Sequence, residues 1–261
     1  KLQKIYYKYL PDEFTSEKEK ILSDLIGNPE IATVDKQNFL IELSNIYYQK
    51  KEYDRVLELF VNNPTVNFNP EYINSSINRN ENIENIVALR AAIDKSGVKI
   101  DKPAYLNILK KIQDNAAIVS LLKSEINNTK NPDILTIYAS ALVAQGKTEE
   151  AAPYLKKTLL LQKNNADALF LLGCCYEKNG DLDVAAQYYN TVKRLDKNFD
   201  NIDLKILMLE WKRKRYDYVI DRLKQLYLGD KTNIELKNQL INCFLEYASF
   251  KNAQKDTLAA T

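Results

Sequence analysis

Apolar residues recur at spacings of three and four along most of the chain, and short polar stretches separate the periodic segments. The pattern is clearest over residues 166–199, where two such segments flank an Asn179-Gly180 step. The apolar and small positions of the two segments are Leu169, Leu172, Gly173 and Tyr176, then Leu182, Ala185, Tyr189 and Val192. This periodicity predicts two amphipathic helices joined by a tight turn.

The hairpin pattern repeats with a period of 34 residues, the separation of Gly146 from Gly180. Residues 132–165 reproduce the pattern without insertion or deletion. The apolar positions of that segment are Leu135, Tyr138, Ala139, Leu142, Ala151 and Leu155. Residues 200–233 keep most of it, but Asp203 and Glu210 stand where the other copies are apolar. A partial copy follows over 234–261, so the sequence predicts successive, stacked hairpins.

These residues resemble the tetratricopeptide repeat, most closely over 132–165 and 166–199. By the same resemblance 200–233 is a degenerate repeat and 234–261 a partial or capping one. A further copy is expected over 37–70, where Leu40, Leu43, Tyr47, Val56 and Phe60 fall in register. The resemblance implies an all-α superhelix, or solenoid, of about seven or eight antiparallel helical hairpins.

The remaining segments show helical periodicity without the full repeat pattern. Helices are predicted before Pro11 and over Thr15 to Ile26, and two short helices each over 70–95 and 102–126. We therefore divide the chain into an N-terminal region of degenerate hairpins, 1–131, and a C-terminal array, 132–261. Because no flexible linker separates them, one continuous solenoid is expected.

Composition narrows the chemistry. Only 6 Gly and 7 Pro are present, which favours helices over a many-stranded sheet, and histidine is absent, which removes the commonest general base and metal ligand. The three cysteines form no disulfide framework or CxxC pair, and the adjacent Cys174 and Cys175 are expected to pack between helices rather than to act in redox chemistry. We expect no catalytic residue, cofactor, metal or small-molecule substrate.

The family resemblance also implies a binding surface. Tetratricopeptide arrays commonly bind an extended peptide or a partner helix in a concave groove lined by the first helix of each pair. The positions of this sequence that match the groove, in the best repeat and its neighbour, are Phe170, Cys174, Glu177, Lys178, Leu204, Met208, Trp211 and Lys212. Their apolar members include the only Trp and the only Met, which is typical of a binding hot spot. Alternatively, the degenerate repeat is rotated and these apolar residues belong to the core.

The run Lys212-Arg213-Lys214-Arg215 has two interpretations, a site for a phosphate-rich partner or a solvated turn between helices. The formal net charge is only +2, so no general basic field supports the first. Nor does any uncharged apolar run approach the roughly 20 residues of a membrane helix. Direct membrane insertion is therefore not expected.

The sequence thus predicts a non-catalytic protein–protein interaction scaffold that belongs to a larger or membrane-associated assembly. The alternative is a nucleic-acid-binding helical repeat, which the missing basic stripe disfavours. Free cysteines favour a cytoplasmic location, whereas a first residue other than Met fits the extracytoplasmic domain of a processed or anchored protein. Nothing in the pattern fixes the oligomeric state.

Overall fold

The computed structural model describes residues 10–11, 14–63, 65–79, 82–96, 102–199 and 201–259. Over these residues the chain forms fourteen α-helices and no β-strand, which confirms the predicted all-α helical repeat. The helices belong to two compact units that divide between Leu121 and Leu122. The division of the chain into regions 1–131 and 132–261 is based on the repeat pattern and stays a prediction. The continuity of the two regions in one solenoid also stays a prediction.

The first unit contains seven helices. They are α1 (Thr15–Gly27), α2 (Thr33–Gln49), α3 (Tyr53–Asn62), α4 (Pro70–Arg79), α5 (Ile83–Ser96), α6 (Lys102–Lys111) and α7 (Asn115–Leu122), the last of which ends one residue past the division. The helix predicted over Thr15 to Ile26 is α1, and the split segments 70–95 and 102–126 are α4 with α5 and α6 with α7. The helix predicted before Pro11 lies outside the described residues.

One apolar cluster joins the helices α1 to α6 of the first unit. It contains Leu22, Leu43, Tyr47, Val56, Leu57, Phe60, Ile73, Ile77, Ile86, Leu89 and Ile108, among others. Five of these side chains come from α2 and α3, the helices of the predicted repeat at 37–70. Burial of each such side chain contributes roughly 1.5–3 kcal/mol, so the cluster is the main stabilising element of the unit.

The second unit contains three hairpins and a long final helix. Its helices are α8 (Pro132–Ala144), α9 (Thr148–Leu161), α10 (Ala166–Lys178), α11 (Leu182–Leu195), α12 (Ile202–Lys212), α13 (Tyr216–Gly229) and α14 (Ile234–Ala259). The hairpins α8 with α9, α10 with α11 and α12 with α13 coincide with the three predicted copies of the repeat. The last helix, α14, continues over 26 residues without a turn.

Equivalent turns hold the three hairpins of the second unit in register. Gly146 and Gly180 have φ angles of 79° and 87°, and Lys214, another 34 residues on, has 62°. In each turn the backbone N–H of the next residue bonds to the carbonyl five residues back, as from Asp181 to Tyr176 at 2.9 Å. Equal offsets therefore occupy equivalent places in the three hairpins.

Close approach of α10 and α11 depends on the glycine at position 173. Gly173 lies against the ring of Tyr189, whose side chain is completely buried. A Cβ at this position would overlap two ring carbons of Tyr189 and would be in tight contact with a third. The absence of a side chain at position 173 therefore makes room for the large ring of Tyr189 between the two helices.

Candidate partner-binding groove

The eight predicted groove residues lie on two first helices of successive hairpins. Four are on α10, namely Phe170, Cys174, Glu177 and Lys178, and four are on α12, namely Leu204, Met208, Trp211 and Lys212. None of the eight is fully buried. The regular 34-residue offset is what places the two sets in equivalent positions on neighbouring hairpins.

The apolar members of the set lie at the boundary between core and surface. Phe170 is half-buried and contacts Tyr189 and Phe199, with ring centroids 5.5 and 5.2 Å apart. Met208 and Trp211 are also half-buried and pack against the core formed by α12, α13 and α14. Each of these side chains thus has one part in contact with the core and another part accessible to solvent.

Trp211 is held in place by specific contacts. Its indole Nε1 donates a hydrogen bond of 2.8 Å to Glu246 on α14, and its ring meets that of Tyr216 edge-on at 4.7 Å. An aromatic side chain whose orientation is fixed loses little conformational entropy when a ligand binds. Trp211 therefore has the preorganisation that a binding residue needs, whichever partner it meets.

Two of the charged members of the set, Glu177 and Lys212, belong to one ion-pair network. The Glu177 carboxylate accepts the Tyr189 hydroxyl at 2.7 Å and pairs with Lys212 at 2.5 Å and Lys205 at 3.0 Å. Its side chain is only 8% exposed, and the Tyr189 hydroxyl also lies 3.3 Å from the Cys174 sulfur. The network links α10, α11 and α12, and it leaves Glu177 fully committed to intramolecular partners.

Electrostatics of this network keep Glu177 charged and Tyr189 neutral. Burial alone would raise the pKa of the Glu177 carboxyl, but hydrogen bonds from Lys212, Tyr189 and Lys205 outweigh it, and the pKa lies below its ordinary value of 4.5. Burial, together with the bonds to Cys174 and Glu177, raises the pKa of the Tyr189 hydroxyl. The hydroxyl therefore remains a hydrogen-bond donor at all physiological pH values.

The lowered pKa predicts an acid-sensitive contribution to stability. Because the folded-state pKa of Glu177 lies below the unfolded one, its stabilising effect is complete above pH 4.5 and is lost as the pH falls through the folded pKa. We expect Glu177→Gln to remove this part of the pH dependence, measured as the free energy of unfolding in urea between about pH 3 and 7. Lys178→Gln is the control, since Lys178 bonds to the Gly146 carbonyl instead and should leave the acid limb unchanged. Parallel curves for the original protein and Glu177→Gln would contradict the assignment.

The basic run from Lys212 to Arg215 is a turn whose charges are largely paired. Arg213 forms an ion pair of 2.6 Å with Glu210 and another with Asp183, and Lys212 pairs with Glu177. The guanidinium of Arg215 lies 2.9 Å from Glu210 Oε2, close enough for an ion pair although without hydrogen-bonding geometry. These pairs favour the interpretation of the run as an inter-helix turn over that of a phosphate site.

The three cysteines are buried or half-buried. Cys175 and Cys243 are buried, and burial raises the pKa of both thiols to about 11. Burial also raises the pKa of Cys174. Since the thiolate is the reactive form, these environments fit the predicted role in helix packing better than redox chemistry.

The sequence-based set omits Lys205, Tyr189 and Glu246, which fix the orientation of Glu177 and Trp211. Lys205 and Lys212 are seven residues apart, so they lie on one side of α12, which is the only sequence signal that associates them. Nothing in the spacing indicates that Glu177 of the preceding hairpin is their common partner. The contact depends on how far successive hairpins are displaced along one another.

Comparisons with known proteins support the repeat assignment. The tetratricopeptide repeat family model matches residues 139–198. A comparison with curated proteins gives no match. The crystal structure of the APC/C heterotetramer Cut9–Hcn1 aligns with 90% of this chain and 50% of its own chain, with a TM-score of 0.54 and 15% identity.

Two further crystal structures are similar. TTC0263, a thermophilic TPR protein of Thermus thermophilus, aligns with 80% of this chain and 99% of its own, with 16% identity and a TM-score of 0.43. YrrB, a TPR protein with an unusual peptide-binding site, aligns with 83% of this chain and 95% of its own, with 14% identity and a TM-score of 0.39. The match to the family model identifies residues 139–198 as tetratricopeptide repeats, and the chain has an all-α helical-repeat fold.

Proposed function

We propose that this chain is a non-catalytic scaffold for protein–protein interaction, and that it binds a partner peptide or helix as a subunit of a larger or membrane-associated assembly. The tetratricopeptide fold supports the scaffold role. Within the described residues no helix is both long and apolar enough to cross a membrane.

The proposed contact surface is the set of groove residues on α10 and α12. Its support is the placement of Phe170, Met208 and Trp211, which are anchored on one side and accessible on the other. Rigid, partly exposed aromatic side chains and Met are the residue types that dominate binding energy at protein interfaces. The Glu177 network borders them with the ammonium groups of Lys205 and Lys212.

Affinity purification with a groove variant tests the proposal. We expect the double variant Phe170→Ala with Trp211→Ala to lose the proteins that co-purify with the original chain, as measured by quantitative mass spectrometry. A loss of about tenfold or more in recovery corresponds to about 1.4 kcal/mol, which is modest for two interface aromatics. Tyr218→Ala is the matched control, because Tyr218 is an aromatic residue on the second helix α13 and is 56% exposed.

Both changes in the double variant also touch the core, so its folding must be measured by circular dichroism. Met208→Glu offers a second route, since it adds a charge to the same surface and removes less volume. Undiminished recovery of the partner with folded samples of both variants would show that the groove residues are not the contact surface. Retention of RNA by the purified chain at low salt would instead favour the nucleic-acid alternative.

A further inference from the structure

The final helix α14 carries apolar residues on two sides. Leu236, Leu240 and Tyr247 pack against the core of the second unit, together with the buried Cys243. On another side Ile241, Phe244 and Leu245 are 44%, 41% and 65% exposed. Their spacing of three and four residues makes a continuous stripe, which we call the α14 stripe. Three large apolar side chains this exposed on one side of a helix form a patch that requires an explanation.

The equivalent positions in the two preceding hairpins show how a residue at the place of Ile241 is normally covered. Ile241 stands 34 residues after Leu207 and 68 after Gly173. Leu207 is 3% exposed and belongs to the same apolar cluster as Val219 and Leu223 of α13, and Gly173 lies against Tyr189 of α11. In both hairpins the second helix, antiparallel to the first, covers this position.

No second helix covers Ile241 among the residues that the structure describes. The positions equivalent to the left-handed Gly180 and Lys214 fall at Ala248, where α14 continues as a helix instead of turning back. The residues that would form the second helix of this hairpin therefore extend along the axis of α14. The α14 stripe is thus the surface on which an antiparallel helix packs in the other hairpins.

Charges around the stripe indicate the chemistry of its occupant. Lys237 and Lys251 are 14 residues apart, or about four helical turns, so they lie near the same side of α14 at the two ends of the stripe. Lys224 of α13 lies over the Phe244 ring, with its Nζ 5.2 Å from the ring centre. Over the described part of the chain, no carboxylate pairs with Lys237 or Lys251, and Asp221 is 3.7 Å from Lys224.

We propose that the α14 stripe is a second docking surface, separate from the groove, and that it binds an antiparallel amphipathic helix of another protein with acidic residues flanking its apolar face. A helix of this kind buries the stripe and brings carboxylates to Lys237, Lys251 and Lys224. A second copy of this chain fits less well. Antiparallel pairing of two α14 helices about Phe244 would place Lys237 of one copy opposite Lys251 of the other.

Two designed helical peptides of about 20 residues test the proposal, long enough to be helical in water. Both carry Leu at positions i, i+3, i+4 and i+7, one flanked by Glu and the other by Lys. Binding to the 261-residue chain is measured by fluorescence anisotropy at low salt. We expect the Glu-flanked peptide to bind at least about tenfold more tightly than the Lys-flanked one. We expect Leu245→Glu to weaken its binding by about tenfold or more.

The control is Leu160→Glu, since Leu160 is 87% exposed on α9 and should leave binding unchanged. The double variant Lys237→Glu with Lys251→Glu should reverse the preference and bind the Lys-flanked peptide more tightly. Equal binding of both peptides, no effect of Leu245→Glu, or no binding below about 1 mM would each overturn the proposal. So would sedimentation of the chain as a dimer that Leu245→Glu converts to a monomer, because a second copy would then occupy the stripe.

Discussion

Gly173→Val is expected to destabilise the second unit by about 3 kcal/mol, at the upper end of the cost of overpacking a core. The first added atom would overlap the ring of Tyr189, and that ring is 0% exposed, so it has no solvent-filled space to move into. Separation of α10 from α11 would relieve the overlap only at the expense of the contacts around Phe170. For a chain of this length the change corresponds to a fall in melting temperature of roughly 6–12 °C.

Thermal and urea unfolding followed by circular dichroism would measure the effect, with Gly229→Val as the matched control. Gly229 ends α13, and a Cβ there meets nothing within 4 Å. Gly173→Val can also be measured in a chain that already carries Tyr189→Leu. Because leucine is smaller than tyrosine, we expect Gly173→Val to lower the free energy of unfolding less in that chain than in the original one. An equal cost in both backgrounds would show that Tyr189 is not the side chain that the valine meets.

The same contact illustrates why this part of the fold is predictable from the sequence. A glycine within one amphipathic segment and a large aromatic residue within the next form a local signal, and the turn glycines at 146 and 180 set the 34-residue period around them. Amphipathic periodicity then identifies each helix, since burial of one face is the dominant stabilising term. The left-handed residues Lys51, Gln113 and Lys214 carry no such signal, although each occupies the turn conformation that glycine favours.

The candidate site is less predictable for a different physical reason. Glu177 and Lys212 both stand at groove offsets of their own repeats, yet their ion pair crosses between two hairpins. Whether the two groups meet depends on the displacement of α12 along α10, which periodicity within one repeat does not specify. Glu246 is equally hard to predict, because its contact with Trp211 depends on the displacement of α14 along α12.

Glu210 presents the opposite case, a charged residue at a position where the other repeats are apolar. It is 7% exposed, and its carboxylate is paired with Arg213 and Arg215 of the following turn. We expect Arg213→Leu combined with Arg215→Leu to destabilise the chain by about 2–3 kcal/mol, because an unpaired carboxylate is left buried. The estimate is below the range for a fully buried pair because the Arg215 side chain is 57% exposed.

We expect Glu210→Leu to change the stability in the opposite direction to the arginine double variant. It removes the buried charge and supplies the apolar side chain that this repeat position has elsewhere, while Arg213 keeps Asp183 and Arg215 gains solvent. We expect it to be neutral or to stabilise the chain by about 1 kcal/mol, as replacement of buried ion pairs by apolar groups often does. Urea unfolding at neutral pH would measure both variants, and the triple variant should be close to Glu210→Leu alone.

The signs of the two stability changes, for Glu210→Leu and for the arginine double variant, distinguish two explanations for a buried carboxylate at position 210. If Glu210→Leu is neutral or stabilising and the arginine double variant is destabilising, the pair adds no net stability, and the arginines serve mainly to compensate the buried charge. If Glu210→Leu costs as much as the arginine double variant, the ion pairs are net stabilising, and the departure from the apolar repeat pattern at this position strengthens the hairpin of α12 and α13. That result would contradict the explanation that Arg213 and Arg215 only compensate the buried charge of Glu210.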